Sequence, residues 1–390
     1  MNLVIDCFKL VKGAGKSIGI YNLAKSIVVH LGERALQEQA ADSIIVLGNT
    51  YNREEFEAPG VTFVEVDGDP LNKAFCILWE LVLVAGYAKR YGADRILFPR
   101  GYRPLGIFLR GRRGRVRDTI LIHDLIPFYY HVHYPGVFNP LENAYIMARL
   151  KASIKGADRI ITISEYSRRD ILHQVPGCGE RIRVISNGVN DVAFEKDQSR
   201  AGTGGRADTG EGQKPEVQDY IIAMTSGLPH KNAKGVLRAY EAYYRQAAAP
   251  LELVVIGIAD TSSYQEMDRE AAAHVACHKY IGQFTEMCRI AAGARAYLFL
   301  SYMEGFGFPP LEAMQLGVPV VCSHRSSLPE VVGEAGLLVD PDDPEAVAEA
   351  LVRATEDQAL RQGLIQKGYE NIRRFSWESR TDLYWKELFR

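Results

Sequence analysis

Short apolar runs rich in valine and isoleucine alternate with helix-like segments along almost the whole chain. The runs are continuously apolar, which is typical of parallel strands buried on both faces. So many strands predict two doubly wound α/β domains and not one. We expect strands at 2–6, 43–47, 61–66, 94–98, 118–122, 158–163, 219–224, 252–256, 278–281, 296–300, 318–322 and 336–339, with 181–185 as a further candidate.

A polar, glycine-rich stretch divides these two sets of strands. Residues 197–217 contain five glycines and one apolar residue larger than alanine. Such a composition buries too little surface to order itself, so we predict a flexible linker or surface loop. The resulting domains are 1–196 and 218–374. The aromatic segment 375–390 is predicted to form a helix that needs a surface to pack on.

Composition excludes several classes of protein. The chain is 47% hydrophobic and 24% charged, and its net charge of −2 gives no general attraction to nucleic acid or membrane. Six scattered cysteines without a C-x-x-C pair indicate reduced thiols. No apolar stretch reaches 18 residues, and residues 1–6 resemble a strand more than a signal peptide. We therefore expect a cytoplasmic location.

The segment Glu304-Gly-Phe-Gly-Phe-Pro-Pro-Leu-Glu312-Ala-Met follows the apolar run 296–300. Glycines leave the backbone bare, and prolines suit a helix start, so the segment predicts a phosphate site at the beginning of a helix that ends at Gly317. We expect Glu304 before the helix and Glu312 in its first turn. Carboxylates repel phosphate, so the two glutamates are better suited to hydroxyl groups. The segment predicts a nucleotide-sugar site.

Three further segments are candidates for ligand contact. The loop 12–17 ends in Gly15-Lys-Ser as nucleotide-binding P-loops do, but Leu10 stands where their first glycine belongs. A close approach to a ligand and a plain turn both remain open there. His123 follows a strand at the edge where open α/β sheets bind ligands. Lys231 lies in the loop after strand 219–224.

The densest charge run lies in residues 100–117, which hold seven arginines. A solvated loop and a surface for anionic lipid or a pyrophosphate-bearing acceptor both remain open. Nucleic acid is not expected, because no recognition motif accompanies the run. The candidate residues of this surface are Arg103, Arg110, Arg112 and Arg113.

Two short patterns provide weak signals for a metal site. Asp67-Gly-Asp69 is explained by a turn before Pro70, and His131 and His133 lack a nearby pair of carboxylates. We therefore expect no metal and no cofactor.

Several motifs occur in an order that resembles glycosyltransferase family 4. The resemblance covers nearly the whole chain and is strongest from 278 to 341. The motifs are His123-Asp-Leu-Ile-Pro, Ser164-Glu-Tyr-Ser, Asn187-Gly-Val, Lys231-Asn232, the Glu304–Met314 segment, and Ser326-Ser-Leu-Pro-Glu-Val-Val-Gly-Glu-Ala-Gly-Leu-Leu-Val-Asp-Pro341.

The resemblance implies a GT-B fold, in which two Rossmann-like domains face each other across a cleft and a final helix, here 375–390, returns to the N-terminal domain. It also implies metal-independent transfer of a hexose from a UDP- or GDP-sugar, with retention at the anomeric carbon. The acceptor would be a hydroxyl of a glycan or lipid-linked molecule in cell-surface polysaccharide or glycolipid assembly, at the cytoplasmic face of the membrane.

The resemblance further implies roles for individual residues. His123 and Glu304 would be catalytic and would contact the donor sugar. Lys231 would hold the diphosphate, and Glu312 would hold the ribose hydroxyls. Leu228 stands where many members carry an arginine, which weakens this expected diphosphate clamp. The implied donor-binding residues are Gly15, Gly227, Lys231, Phe284, Gly305, Phe306, Gly307, Leu311 and Glu312.

Two alternatives remain. An epimerase of the same fold would interconvert nucleotide sugars without an acceptor. A non-catalytic subunit would bind a sugar nucleotide and yield no product.

Overall fold

The computed structural model describes residues 1–13, 18–40, 43–104, 110–111, 114–190 and 218–389, with the backbone alone at 110, 111, 114 and 115. The chain forms two compact domains. The first contains Met1–Gly188 and Trp377–Arg390, and the second contains Val189–Ser376. These boundaries differ from the 196 and 374 expected from sequence. The predicted linker lies outside the described residues.

The first domain is built on a seven-stranded parallel sheet. Its strand order is β3-β2-β1-β4-β7-β8-β9, and β5 and β6 form a separate antiparallel pair. The strands are β1 Leu3–Asp6, β2 Ile44–Gly48, β3 Thr62–Glu65, β4 Arg95–Phe98, β5 Arg110–Gly111, β6 Gly114–Arg115, β7 Arg117–Ile122, β8 Arg159–Thr162 and β9 Ile182–Val184.

Helices cover this sheet, and local sequence sets several of their ends. Asn139 caps one helix by accepting hydrogen bonds from Leu141 N and Glu142 N, and Ser164 caps another. Trp79 is fully buried in the core that the helices form with the sheet. The helices are α1 Ile18–Gln37, α2 Arg53–Phe56, α3 Lys73–Leu78, α4 Val84–Arg90, α5 Ile126–His133, α6 Pro140–Gly156 and α7 Glu165–Gln174, with a π-helical segment at Trp79–Leu83.

The second domain repeats this architecture with a six-stranded parallel sheet. Its strand order is β12-β11-β10-β13-β14-β15. The strands are β10 Tyr220–Met224, β11 Glu252–Ile256, β12 Val275–His278, β13 Ala296–Phe299, β14 Val320–Ser323 and β15 Gly336–Val339.

The core of the second domain lies between its sheet and helices that carry apolar stripes. Leu237 and Tyr240 on one helix and Leu351 on another are fully buried there. A buried leucine contributes about 1.5–3 kcal/mol. The helices are α8 Ala233–Gln246, α9 Arg269–Ala273, α10 Phe284–Gly293, α11 Phe308–Gln315, α12 Leu328–Val332, α13 Pro344–Glu356 and α14 Gln358–Ile372.

The last helix, α15 (Trp377–Phe389), belongs to the first domain. Tyr384 and Leu388 are buried, and Asp382 lies 3.5 Å from Arg34 on α1. The aromatic residues of this segment thus have a packing surface. None of the described helices is long and apolar enough to cross a membrane.

Both sheets reverse their strand order beside their first strand. β1 lies between β2 and β4, and β10 lies between β11 and β13. The carboxyl ends of strands at such a reversal are where open α/β sheets bind ligands. The prediction of two doubly wound domains is confirmed.

Three details of the sequence prediction were wrong or incomplete. The strand expected at 278–281 lies at Val275–His278, and Tyr280 is instead 81% exposed. Glu312 is the fifth residue of α11, so it lies in the second turn and not in the first. The antiparallel pair β5–β6 was not predicted, because each strand has only two residues.

Candidate functional site

Two loops of the second domain carry most of the residues that the sequence singled out. Residues 225–232 connect β10 to α8, and residues 300–307 connect β13 to α11. β10 and β13 pair directly, with Ile222 opposite Tyr297. The two loops therefore begin side by side at the point where the strand order reverses.

Hydrogen bonds fix the loop after β10 and join it to the loop after β13. Thr225 Oγ1 donates to the Lys231 carbonyl at 2.8 Å. Asn232 has a φ of +56°, a conformation that asparagine tolerates better than most residues. Its Oδ1 caps α8 by accepting from Gly235 N at 3.0 Å, and its Nδ2 donates to the Leu300 carbonyl at 3.2 Å.

An ion pair joins the two loops at their centre. Lys231 Nζ lies 2.6 Å from Glu304 Oε1. Glu304 is only 9% exposed, and a carboxylate in such surroundings needs a cationic or hydrogen-bonding partner. The two residues assigned separately to the diphosphate and the sugar are therefore partners in the folded chain.

His230 lies beside this ion pair and is buried. Burial, together with the neighbouring Lys231 ammonium, lowers the pKa of its imidazole to about 4, although the Glu304 carboxylate acts in the opposite direction. The imidazole is therefore neutral near pH 7. The ammonium of Lys231 is the cation that this loop contributes.

Two serines hold the backbone around Glu304. Ser326 Oγ accepts from Glu304 N at 3.0 Å. The Ser327 hydroxyl lies 3.0 Å from the Glu304 carbonyl and 2.7 Å from the Phe306 carbonyl, and it donates to these oxygens. Sequence reasoning gave the serines no role. Both belong to the motif that ends at Pro341, but the motif alone does not show that they contact the Glu304 backbone.

The entry to α11 presents bare backbone. Gly307 has a φ of +112°, which favours glycine, and an added Cβ would lie 2.6 Å from Leu328 Cδ2. Pro309 and Pro310 carry no N–H. Among the described residues, no partner accepts a hydrogen bond from the N–H groups of Gly305, Phe306 and Gly307. These groups are the donors left for a ligand.

Phe306 and Leu311 have side chains that face the domain interior. Phe306 is 3% exposed, and its ring centroid lies 5.3 Å from that of Phe308 and 5.5 Å from that of Phe375. Leu311 is fully buried. Only the backbone of these two predicted donor-binding residues is available to a ligand.

Glu312 projects from the middle of α11. Its carboxylate makes no hydrogen bond or ion pair with any described residue, and desolvation by burial raises its pKa from 4.5 to about 7. A carboxyl group in this state gains from any ligand that brings hydroxyl donors. The structure therefore leaves this side chain suited to a polar ligand.

Gly227 and Phe284 lie on the surface of the second domain. A Cβ added to Gly227 would meet no atom within 4 Å, so protein packing does not require glycine there. Phe284 is the first residue of α10 and is 56% exposed. Both residues are accessible to a ligand.

His123 follows β7 in the first domain. Its Nε2 lies 2.7 Å from the Pro99 carbonyl, which accepts hydrogen bonds only, so Nε2 carries the proton. Burial lowers the pKa of the imidazole to about 4, and Ser167 Oγ donates to the His123 carbonyl at 3.1 Å. The ring is therefore neutral near pH 7 and presents Nδ1 as an acceptor.

Of the remaining candidate residues of the first domain, only Arg103 has a described side chain. Gly15, Arg112 and Arg113 lie outside the described residues, as does the side chain of Arg110. Arg103 forms an ion pair with Asp118, which is fully buried. The guanidinium of Arg103 thus has a partner inside the domain.

Metal-ligating side chains do not cluster in the described part of the chain: no group of three or more His, Cys, Asp or Glu is arranged to hold an ion. In the Asp67-Gly-Asp69 pattern, Asp69 Oδ1 accepts from Leu71 N at 2.8 Å. That hydrogen bond is the turn geometry expected before a helix.

Two family models match different parts of the chain. The model described as Glycosyltransferase Family 4 matches residues 27–192. The model described as Glycosyl transferases group 1 matches residues 206–371. Together they span most of both domains. The chain belongs to glycosyltransferase family 4.

A curated relative of this family 4 chain is the O-antigen chain mannosyltransferase B of Escherichia coli. The two sequences are 30% identical over 242 residues, which is 61% of this chain and 62% of the relative. The match thus spans less than two thirds of the relative's length.

Solved structures share the fold over the whole length of the family 4 chain. Sucrose-phosphate synthase from Thermosynechococcus elongatus superposes with a TM-score of 0.66 at 19% identity, covering 100% of this chain and 99% of that one. Anabaena Alr3699/HepE in complex with UDP and glucose gives a TM-score of 0.63 at 15% identity, with coverage of 100% and 99%. These likenesses show the two-domain GT-B fold.

Proposed function

We propose that this chain is a retaining glycosyltransferase that moves a hexose from a nucleotide-diphosphate sugar to an acceptor hydroxyl. The observation that carries the proposal is the group of residues at the start of α11. There, two adjoining loops and one helix hold the Lys231–Glu304 ion pair and the N–H groups of Gly305 to Gly307. They also hold the carboxylate of Glu312, which has no partner among the described residues.

The diphosphate of the donor would lie at the entry to α11. A helix start favours anions, and here the N–H groups of Gly305 to Gly307, which have no acceptor in the described part of the chain, come before the two prolines. Lys231 would turn from Glu304 to the phosphates and stabilise the charge that develops as the nucleotide departs. Removing one such group costs on the order of 3 kcal/mol of barrier.

The two glutamates would take hydroxyl groups of the donor. Glu312 would accept from the ribose, which supplies the hydrogen bonds that its carboxylate lacks in the folded chain. Glu304 would contact the transferred sugar once Lys231 engages the diphosphate. His123 would orient the same sugar through Nδ1, and Gly227, Phe284 and the Gly15 loop would border the nucleotide.

The reaction breaks the bond between the anomeric carbon and the phosphate oxygen and forms a bond from that carbon to the acceptor oxygen. The acceptor proton passes to the departing phosphate oxygen, and both bonds lie on the same face of the sugar, which gives retention. Lys231 and the backbone N–H groups supply the charge stabilisation, so we propose that the transfer needs no metal.

The acceptor is proposed to be a glycan or a lipid-linked glycan of a cell-surface polysaccharide. The E. coli relative, whose name describes an O-antigen chain mannosyltransferase, supports this acceptor. The UDP and glucose in the Anabaena structure support the class of donor. Action at the cytoplasmic face of the membrane, with Arg110, Arg112 and Arg113 near lipid, is part of the same proposal.

The test compares two lysines that lie three residues apart. Calorimetry with UDP, GDP, UDP-glucose and GDP-mannose is performed on the parent chain, on Lys231→Gln and on Lys234→Gln, an exposed lysine of α8. We expect the parent chain to bind either the uridine nucleotides or the guanosine nucleotides. Lys231→Gln should weaken that binding at least tenfold, because it removes the ammonium, and Lys234→Gln should not.

Turnover of the best donor is then followed with and without a chelator. Slow release of the nucleoside diphosphate, unaffected by the chelator, supports a metal-independent transferase. Equal nucleotide affinity in the parent and Lys231→Gln would contradict the site. Conversion to an epimeric nucleotide sugar, or binding without any product across an acceptor panel, would contradict the transferase.

A further inference from the structure

Arginines occupy neighbouring strands at the amino-terminal edge of the first-domain sheet. Arg95, Arg117 and Arg159 are the first residues of β4, β7 and β8, and Arg183 lies on β9. Arg95 pairs in register with Arg117, and Thr119 pairs with Arg159. Paired residues and residues two apart share a face of a sheet, so these side chains project to one side. We call the four arginines the arginine row.

Few anionic groups balance this row. Glu387 on α15 lies 3.1 Å from Arg159 and 3.6 Å from Arg183. Within the described residues, the Arg95 guanidinium donates only to the Glu387 backbone carbonyl, at 2.6 Å. The Arg117 guanidinium makes no ion pair or hydrogen bond with any described residue. Like charges directly opposite each other destabilise a sheet, so the row as folded carries an electrostatic cost.

The pKa of Arg95 reflects the same imbalance. This side chain is buried, and burial lowers the pKa of its guanidinium. The charges of Arg117 and Arg159 lower it further, and only Glu387 opposes them. A bound anion would relieve both the desolvation and the repulsion.

A cavity of about 380 Å³ adjoins the row. Besides three arginines of the row, it is lined by Thr119, Asp158, Lys386 and Glu387. Four cationic side chains thus face two carboxylates. Asp158 is also engaged with the sheet, because its Oδ2 accepts from Asp118 N at 3.1 Å. The volume is in the range of small-molecule sites.

We propose that this cavity binds a diphosphate-bearing anion. Guanidinium groups bind phosphate oxygens in a bidentate manner, which favours phosphate over halide. Neighbouring strands lie about 4.8 Å apart, so guanidinium groups on adjacent strands can each take one phosphate group. A single phosphate would leave part of the row unbalanced.

The site is separate from the ligand edge of the same sheet. β7 runs from Arg117 at the cavity to Ile122, next to His123, which is a span of about 16 Å for five steps along a strand. One wall of the cavity is α15, through Lys386 and Glu387. A bound diphosphate would therefore tie α15 to the sheet and slow amide exchange in this helix.

The test measures binding of inorganic pyrophosphate by calorimetry. All chains carry Lys231→Gln, so that the second domain contributes little to binding. Two variants each change one exposed residue of the cavity lining: Arg117→Gln and Lys386→Gln. The control is Arg168→Gln, on α7 of the same domain. We expect Arg117→Gln to lose at least tenfold in affinity for pyrophosphate and Lys386→Gln to lose less. The control should bind as the parent does, and chloride at equal ionic strength should not compete.

A second arm distinguishes a free anion from a lipid head group. Phosphatidylcholine vesicles carrying an isoprenoid diphosphate are sedimented with the same chains. If the chain binds these vesicles through Arg117 but does not bind pyrophosphate, the site is assigned to a lipid diphosphate. If Arg117 is needed for binding of pyrophosphate, the site is assigned to a soluble diphosphate. No binding of either probe, or equal binding by Arg117→Gln and its parent, would overturn the proposal.

Discussion

At the scale of single residues, Glu312 is a carboxyl group whose environment in the folded chain disfavours the ionised form. Burial raises its pKa from 4.5 to about 7. Between these values the folded chain holds a proton that the unfolded chain has released, so stability falls as the pH rises from about 4.5 to about 7. The full effect above that window is on the order of 3 kcal/mol.

Glu312→Gln removes this titration and keeps the shape of the side chain. The variant should therefore be more stable than the parent by about 1–3 kcal/mol at about pH 8, and equally stable at about pH 4. Denaturant unfolding at both pH values measures the difference. Glu349→Gln, on an exposed face of α13, is the control and should change neither value. An unchanged stability of Glu312→Gln at about pH 8 would contradict a desolvated carboxylate that has no partner among the described residues.

The residue types at the site could be read from sequence, but their pairing could not. Glycines, prolines and glutamates in one segment predict a helix start with polar residues around it. The ion pair between Lys231 and Glu304 joins residues 73 positions apart, and Ser327 reaches Glu304 across 23 positions. Such contacts depend on how neighbouring strands align, which no local pattern encodes.

At the scale of elements, Gly307 sets where α11 begins. Its φ of +112° is strained for any other residue, and an added Cβ would meet Leu328 on α12. Gly307→Ala should destabilise the second domain by about 1–3 kcal/mol and weaken nucleotide binding, because the N–H groups before α11 would move. Thermal unfolding and calorimetry measure the two effects.

Gly363 provides a control of opposite sign. It lies on the exposed face of α14 with ordinary helical geometry, and an added Cβ would meet no atom within 4 Å. Gly363→Ala should stabilise the chain by about 0.5–1 kcal/mol and leave binding unchanged. A Gly307→Ala variant as stable as the parent would show that the start of α11 adapts without strain.

Elements with continuous apolar runs were placed within two residues of their observed ends. The exception, β12, has alternating burial: Ala276 and His278 are exposed, and Val275 and Cys277 are partly buried. An edge strand of this kind lacks the apolar run that marks the central strands. The π-helical segment at Trp79–Leu83 also has no signature in the apolar pattern.

At the scale of the whole molecule, the two domains differ in how the chain builds them. The second domain is continuous from Val189 to Ser376, whereas the first needs both Met1–Gly188 and Trp377–Arg390. Sequence patterns predict two domains from the number of strands. The return of the last helix to the first domain was implied only by the family resemblance, because it depends on contacts such as Arg159 with Glu387, which join distant parts of the chain.

This difference predicts how fragments behave. A fragment of residues 189–376 contains every strand and helix of its sheet and should fold alone and bind the nucleotide. A fragment of residues 1–188 lacks the buried Trp377, Tyr384 and Leu388. Each contributes about 1.5–3 kcal/mol, and the total approaches the 5–15 kcal/mol that holds a typical domain together, so this fragment should be largely unfolded.

Circular dichroism and thermal unfolding of the two fragments measure these outcomes. Adding a synthetic peptide of residues 377–389 should restore cooperative unfolding to fragment 1–188, because it returns the packing and the Glu387 ion pairs. A peptide with Tyr384→Ser and Leu388→Ser is the matched control and should not. Cooperative unfolding of fragment 1–188 without any peptide would show that α15 is an accessory to this domain and not part of its core.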